Sequence, residues 1–323
     1  MIKPIIFKNR ELTLHKAINN PCFESKTVLT DSCWRYVEMW LRRKNAEKAL
    51  FYWKQAEQFF KASTLLPLES SPLTTYYCFL NATKALLFEK GVLFNDKRHG
   101  ISGGRNPGNK VTLIGEQVTF QMDGVLPGLC KYLGEPVIAK ISYRLKNILY
   151  NLPYIHRAYC LTFTSDDELF FPISKPRFVK NQRSHDAWFE AILDSKYSNQ
   201  HTINKLPTDY IRDSSYNDKC VIRYNRIFTW NPNDRTNSIQ NLKTYHSNLR
   251  KDIYYIYGPT RLWYIKRNQT PGIINRSSLT LTLAAMHRLS ELSRYSPHIL
   301  AKHLESQHNW LLSEFIEKSL YQF

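Results

Sequence analysis

Residues 95–110 read NDKRHGISGGRNPGNK, a stretch whose residue types suit the capture of an anion. Glycine carries no Cβ, so Gly100, Gly103, Gly104 and Gly108 let backbone N–H groups converge on one point, and Lys97, Arg98, Arg105 and Lys110 add positive charge beside them. A phosphate is the ligand this chemistry expects. His99 lies next to two cations and is the histidine best placed to move a proton near neutrality. The segment is not a Walker A loop: Asn109 separates Gly108 from Lys110, Val111 follows, and a helical pattern rather than a strand precedes it. Two plainer readings stay open beside these. The segment also reads as a connector between a helical and a β part, and His99 as a residue that orders it by local hydrogen bonds.

Other chemistry-bearing residues are scattered. Arg294 and His298 near the C-terminus form a second candidate catalytic pair. Arg42 with Arg43, and Arg223 with Arg226, are further candidates for phosphate contact. Tyr224, Phe228, Trp230, Tyr254, Tyr255, Tyr257, Trp263 and Tyr264 are interleaved with cations from Arg223 to Lys266, which suits stacking on single-stranded nucleic acid and suits a β core equally. His287 shares an apolar helical face with Leu283 and Ser290 and is expected to be a hydrogen-bonded core histidine. Asp166, Asp167 and Glu168 resemble a paired-acid site but fall where a hairpin tip is expected. The spacing of His298, His303 and His308 spreads them over different helix faces, so no metal site is assigned. No Cys–His arrangement can be asserted from the sequence alone.

Composition bounds the partner class. The 323-residue chain holds 45 Lys and Arg against 27 Asp and Glu, a formal charge of +18, with 43% apolar and 14% aromatic residues. It is therefore a folded chain expected to meet a polyanion, with nucleic acid or a nucleotide ahead of an acidic protein. Its cations are spread along the sequence, so any basic face must be assembled by folding. The six cysteines are widely spaced without a C-x-x-C pair, no apolar run is long enough to span a bilayer, and no cofactor motif is present, which together lead to the expectation of a cytoplasmic protein without a membrane partner.

The elements that must position these groups follow from hydrophobic period. Residues 1–31 read as an extended arm. Three helices occupy about 32–94: WRYVEMWLRRK capped by Asp31 or Ser32, AEKALFYWKQAEQFFKAS, and a third that opens with Ser71 as its cap and Pro72 and stops at Gly91. Residues 95–110 are assigned to loop and 111–270 to an α+β region. In that region KVTLI and QVTFQM are expected as strands, VIAKISYRLKNILYNL as helix, AYCLTFTSDDELFFPI as a hairpin, SHDAWFEAIL as a short helix, and KCVIRYNRIFTW and RLWYIKR as strands. Helices return over 271–323 and are expected to pack back on the body. The fold class is α+β.

The ordered segments WRYVEMWLRRK, AEKALFYWKQAEQFFKAS, SSPLTTYYCFLNATKALL, RHGISG, YIHRAYCLTF, LFFPI, HRLSELSRYSPHIL and WLLSEF resemble the YaaC-like family of bacterial proteins from about residue 34 to 315, with PLTTYYCFLNATKALL and LSELSRYSP the most specific parts. That resemblance implies an architecture and a bacterial or phage-defence setting rather than a reaction. TTYYCFLNATKALLFEKG, with His99 downstream, is also similar to the central helices of HEPN domains, which are common in ribonucleases. The Arg and His of the HEPN motif stand about one turn apart on a helix, whereas here Pro297 intervenes between Arg294 and His298. Together these readings lead to the expectation of a nucleic-acid- or nucleotide-binding component of a bacterial defence or stress system, RNA slightly preferred, in which further protein partners are possible. A metal-independent ribonuclease and a scaffold that docks an acidic protein are the alternatives.

Overall fold

The computed structural model describes residues 2–24, 32–106, 112–258, 262–268 and 270–323. Asp31, Gly108, Asn109, Lys110 and Val111, named above, lie outside them. Along the chain come strands β1 (Ile2–Pro4), β2 (Ile6–Phe7) and β3 (Arg10–Glu11), then helices α1 (Cys33–Arg43), α2 (Glu47–Ser63) and α3 (Ser71–Glu89). β4 (Ile101–Arg105), β5 (Glu116–Phe120), α4 (Val125–Tyr132), β6 (Ile141–Arg144), α5 (Leu145–Tyr150) and α6 (His156–Thr162) follow. The middle holds β7 (Phe170–Asn181), β8 (Asp186–Leu193), α7 (Gln200–Ile203), β9 (Tyr210–Arg212), β10 (Val221–Tyr224), β11 (Phe228–Thr229), α8 (Arg235–Leu249), β12 (Ile253–Ile256) and β13 (Leu262–Lys266). The chain closes with α9 (Ser278–Tyr295), α10 (Pro297–Leu304) and α11 (Asn309–Gln322). The fold is α+β.

The residues divide into two compact units. One comprises Met1–Thr27 and Asp167–Pro271; the other comprises Val28–Asp166 and Gly272–Phe323. The first is built on an antiparallel sheet of order β12-β13-β7-β8-β10-β9, with β1 added to β7 and β11 to β8. The arm thus contributes a strand, Ile2 opposite Asn181. Phe178, Phe189, Ile222, Tyr224, Phe228, Trp230 and Tyr245 fill its core.

The second unit is helical around α3, most of which is buried: Tyr76, Phe79, Leu80, Thr83 and Leu87 are shielded from solvent, while Leu73, Tyr77, Lys84 and Phe88 form a half-buried face. Its start and stop are local chemistry. Pro72 sits in the first turn, Ser70 rather than Ser71 takes the cap position, and Gly91 stops the helix with φ +63°, a left-handed conformation that costs glycine little. At α1 the Ser32 hydroxyl accepts from the Arg35 N–H at 3.3 Å. Helix α9 packs against α3, so helices from both ends of the chain share one core. A small sheet of order β4-β5-β6 lies against α9.

Several expectations are corrected. Residues 101–105 are a strand, paired with β5 from Ile101 opposite Phe120 to Arg105 opposite Glu116. SHDAWFEAIL is strand β8 rather than a helix: Ala187 through Ala191 are all buried, which an inner strand covered on both faces requires and an amphipathic helix does not. VIAKISYRLKNILYNL splits into β6 and α5. AYCLTFTSDDELFFPI is no hairpin but the body of α6, a turn and the start of β7. At the end of KVTLI and one residue beyond, Leu113–Gly115 form a single turn of 3₁₀ helix. Helix α8 is an element the sequence reading passed over, although Ile239, Leu242, Tyr245 and Leu249 keep helical spacing and Asp234 caps Asn237 at 3.3 Å.

Candidate functional site

Three elements of the helical unit bring its ionisable groups together. Helix α3 supplies Tyr76, Tyr77 and Lys84, the segment between α3 and β4 supplies His99, and α9 supplies His287, Arg288, Glu291 and Arg294. His287, Glu291 and Arg294 recur at steps of four and three, which puts them on one helix face. The His99 ring lies 5.5 Å from Tyr76, 6.4 Å from Tyr77 and 6.1 Å from His287, centroid to centroid. Tyr76 meets His287 edge to face at 4.9 Å.

Burial sets the protonation of this group. Tyr76 and His287 are buried and His99 is half-buried. Burial lowers the His99 pKa, the positive charges of Lys84 and Arg294 lower it further, and Glu291 opposes them. Burial brings His287 down to about 4. Burial also raises the Tyr76 hydroxyl far above its ordinary value, so it stays protonated. At neutral pH the cluster therefore holds two neutral imidazoles and a phenol. Among the described residues neither the Tyr76 hydroxyl nor His287 Nδ1 has a hydrogen-bond partner; Nδ1 is 3.8 Å from Glu291 Oε1, a Coulombic contact and not a hydrogen bond. The expected satisfied core histidine is thus buried but not satisfied at that nitrogen.

Beside this cluster lies a network of ion pairs around Glu116, which is fully buried. Arg105 donates to Oε1 at 2.5 Å, and His303 Nε2 lies 3.3 Å from the same oxygen. Arg288 donates to Oε2 through Nη2 at 2.7 Å and through Nε at 2.9 Å. Burial alone would raise the Glu116 carboxyl, but the hydrogen bonds from His303, Arg105 and Arg288 outweigh it and hold it at about 2. Arg288 also reaches Glu291 Oε2 at 2.9 Å, and the Gly103 N–H donates to Glu291 Oε1 at 3.1 Å. The glycine N–H does meet an anion, but an internal one. A Cβ on Gly103 would stand 1.8 Å from Glu291 Oε2 and 2.5 Å from Arg288 Cδ, so the missing side chain makes room for α9. Gly100 and Gly124 are likewise needed for packing: a Cβ on Gly124 would come within 2.5 Å of the Gly100 nitrogen.

The remaining candidates sort by what already holds them. Arg105 is committed to Glu116, which corrects its assignment to an external phosphate. Arg98 is exposed and 3.5 Å from Asp123, and Arg42 pairs with Glu38 at 2.8 Å. Lys97 and Arg43 are exposed and, among the described residues, have no carboxylate within ion-pair distance; Arg294 and Lys84 have none either. Arg294 lies over the Tyr295 ring at 4.8 Å, and His298 is exposed at the start of α10. In the β unit Arg226 pairs with Asp209 at 3.0 Å and Arg223 lies over Trp188. Tyr224, Phe228, Trp230, Trp263 and Tyr264 are core residues, so these rings serve the β core and not base stacking. The acidic run is divided among three cations: Asp166 to Lys146 at 2.8 Å, Asp167 to Arg267 at 2.9 Å, and Glu168 to Lys196 at 3.0 Å. Among the described residues no group of three His, Cys, Asp or Glu is placed to hold a metal, and no helix is long and apolar enough to cross a membrane.

His99 and Arg294 were legible as candidates; Lys84, Tyr76, His287 and Glu291 were not joined to them. The available signal was the polar stripe His287, Glu291, Arg294 along an otherwise apolar helix.

No curated protein and no solved structure matches the chain. The likeness to HEPN helices finds no support in these comparisons. A family model described as YaaC-like protein matches residues 18–323, nearly the whole length, and the chain belongs to the YaaC-like family.

Proposed function

We propose that the helical unit binds the phosphate backbone of a nucleic acid at the face where Lys84 and Arg294 flank His99, and that the protein acts as a nucleic-acid-binding component of a bacterial defence or stress system. The observation that carries this reading is a pair of cations without carboxylate partners among the described residues, Lys84 over the Tyr52 ring and Arg294 over the Tyr295 ring, both near enough for their charge to lower the pKa of the half-buried His99, in a chain of charge +18. A phosphate there would gain two charge-assisted contacts and release condensed counterions, while His99 can donate or accept a hydrogen bond. Lys97 and Arg43 are further exposed cations of the same unit. The backbone chemistry is common to RNA and DNA. RNA is the polymer to test first.

The test is anisotropy of labelled single-stranded RNA and DNA titrated with protein across a salt series. Binding is expected to weaken linearly in log Kd against log salt, with Lys84→Ala and Arg294→Ala each reducing the slope by about 1. Binding absent at low salt, or a slope untouched by both substitutions, would overturn the proposal and leave an acidic protein as the partner to seek.

A second reading is favoured by one observation: His99 and His287 are both neutral at pH 7, as general bases must be, with rings 6.1 Å apart. On that reading the protein is a metal-independent ribonuclease, and His99→Ala retains binding while cleavage is lost.

A further inference from the structure

In the β unit the arm and helix α8 enclose two buried side chains whose donors are not all used. His246 and, at the helix end, Arg250 stand one turn apart on one face of α8 and are 0% and 7% exposed. The arm crosses over them. The His15 N–H donates to His246 Nε2 at 3.1 Å, Phe23 meets the His246 ring edge to face at 5.4 Å and the His15 ring at 4.8 Å, and Arg250 Nη2 donates to the Lys16 carbonyl at 3.3 Å. His246 Nε2 lies nearer the His15 N–H than the His15 carbonyl, at 3.3 Å, which assigns the ring hydrogen to Nδ1. Among the described residues neither that Nδ1–H nor the Arg250 Nε–H has a hydrogen-bond partner.

The charge of Arg250 is unbalanced too. Its Nη1 and Nη2 donate to the Ile253 and Lys16 carbonyls, no carboxylate among the described residues pairs with it, and burial lowers its pKa to about 10 with only Tyr254 and Tyr210 opposing. Asp252, two residues on, feels Asp209, Lys251 and Lys266. Burial and then the charge of Arg250 hold His246 neutral, at about 3. A buried guanidinium is unfavourable to a fold unless an anion compensates it. On the adjoining stripe of α8 a cavity of about 330 Å³ lies between Gln240, Lys243, Thr244 and Ser247 and the arm at Asn20 and Pro21. Lys243, Ser247 and Arg250 follow one another at steps of four and three, so the cavity and the buried guanidinium share one side of the helix. The Thr244 and Ser247 hydroxyls donate to the Gln240 and Lys243 carbonyls at 3.3 and 3.0 Å. The half-buried Lys243 ammonium and the Asn20 and Gln240 side-chain amides have no partner among the described residues.

We propose that this cavity binds the phosphate group of a small molecule, held by the Lys243 ammonium and the Asn20 and Gln240 amides, and that the bound anion balances the buried charge of Arg250 and His246. The donors come from two directions, the helix and the arm, which suits a tetrahedral oxyanion better than a planar carboxylate. Asn20 sits at a left-handed turn, φ +49°, a conformation that asparagine tolerates, and it puts an amide at the arm's side of the cavity. The volume holds a phosphate together with a modest group attached to it. The arm is one wall of the site, so the ligand also ties the arm to α8. Lys84 and Arg294 belong to the helical unit, and this site does not rest on the nucleic-acid reading.

The test is calorimetric titration of the full chain with inorganic phosphate and, separately, with AMP. One site per chain is expected, with Lys243→Ala and Asn20→Asp each weakening it about 10-fold or more and Lys84→Ala leaving it unchanged. Tighter binding of AMP assigns a phosphate ester and tighter binding of phosphate assigns the free anion; either supports the site. In the native sequence the ¹⁵N-detected His246 Nδ1–H resonance is expected to shift on saturation. No saturation by about 10 mM of either probe, or a site that Lys243→Ala and Asn20→Asp both leave intact, would overturn the proposal. Saturable binding that leaves the His246 resonance in place would put the anion elsewhere on the basic surface and overturn it as well. No substitution touches the buried pair, so a failure to fold does not enter the result.

Discussion

Replacing Gly103 by alanine separates two roles that a glycine of this basic segment can play. The Gly103 N–H donates to Glu291 Oε1 at 3.1 Å, and a Cβ would fall 1.8 Å from the other oxygen of that carboxylate. Gly103 has no left-handed backbone to strain, so the cost of Gly103→Ala is the displacement of Glu291 and, through its 2.9 Å contact, of Arg288. Losing one charge-assisted hydrogen bond in this part-buried network costs about 2–3 kcal/mol. For a unit of this size that corresponds to a fall of about 5–10 °C in melting temperature. The control is next door: a Cβ on Gly104 meets nothing within 4 Å, and Gly104→Ala in strand β4 is expected to stay within about 0.5 kcal/mol of the native protein. Differential scanning calorimetry on the three proteins decides it. If Gly103→Ala melts with the native protein yet loses affinity for nucleic acid, the glycine serves an external phosphate and the internal-carboxylate argument fails.

Other perturbations reach other parts of the fold. Glu116 is held at about 2 against an ordinary 4.5, so its contribution is complete above pH 4.5 and is lost as pH falls toward 2; acid unfolding followed by circular dichroism should show Glu116→Gln lacking about 3 kcal/mol of that pH dependence. In the β unit, burial and then the charge of Asp209 raise Asp252 to about 6, so its ionised form opposes folding at neutral pH. Asp252→Asn should raise stability at pH 7 by about 1–2 kcal/mol, and chemical denaturation should show the gain shrinking as pH drops from 6 toward 3.8. Asp234→Ala removes the cap of α8 and should cost about 1 kcal/mol in the same assay, with Asn restoring most of it.

What the sequence disclosed followed the range of the forces involved. The bounds of α3 were legible because Pro72 and Gly91 act on their own backbone. Strand β8 was not, because Ala187–Leu193 is decided by β7 and β10 on either side, and a run of mostly apolar residues has no period to reveal which element will bury it. Likewise His99 stood out by composition among its neighbours, but its setting did not: the Gly103–Glu291 bond joins residues 188 apart in sequence. The basic segment was overread for the same reason. Arg105 and Gly103 look available to a ligand until Glu116 and Glu291 arrive from elsewhere in the chain. The interleaved aromatics of residues 224–264 pointed equally to stacking and to a core, and burial decided for the core at Tyr224, Phe228, Trp230, Trp263 and Tyr264, while Tyr254 and Tyr255 are half-buried and Tyr257 is exposed.

The order in which the chain visits its two units has a bearing on how it is made. Because the β unit joins Met1–Thr27 to Asp167–Pro271, its first strand leaves the ribosome long before β7, the strand it pairs with. The helical unit waits longer still: α1 to α3 are synthesised early, yet α9, against which α3 packs, comes only after the whole β unit. During elongation the apolar face of α3 is therefore exposed while some two hundred residues are added, on the order of 10–40 s at ordinary translation rates. Nascent chains should accordingly depend on a holdase until α9 emerges, and slowing translation should lower the soluble yield of this protein instead of raising it.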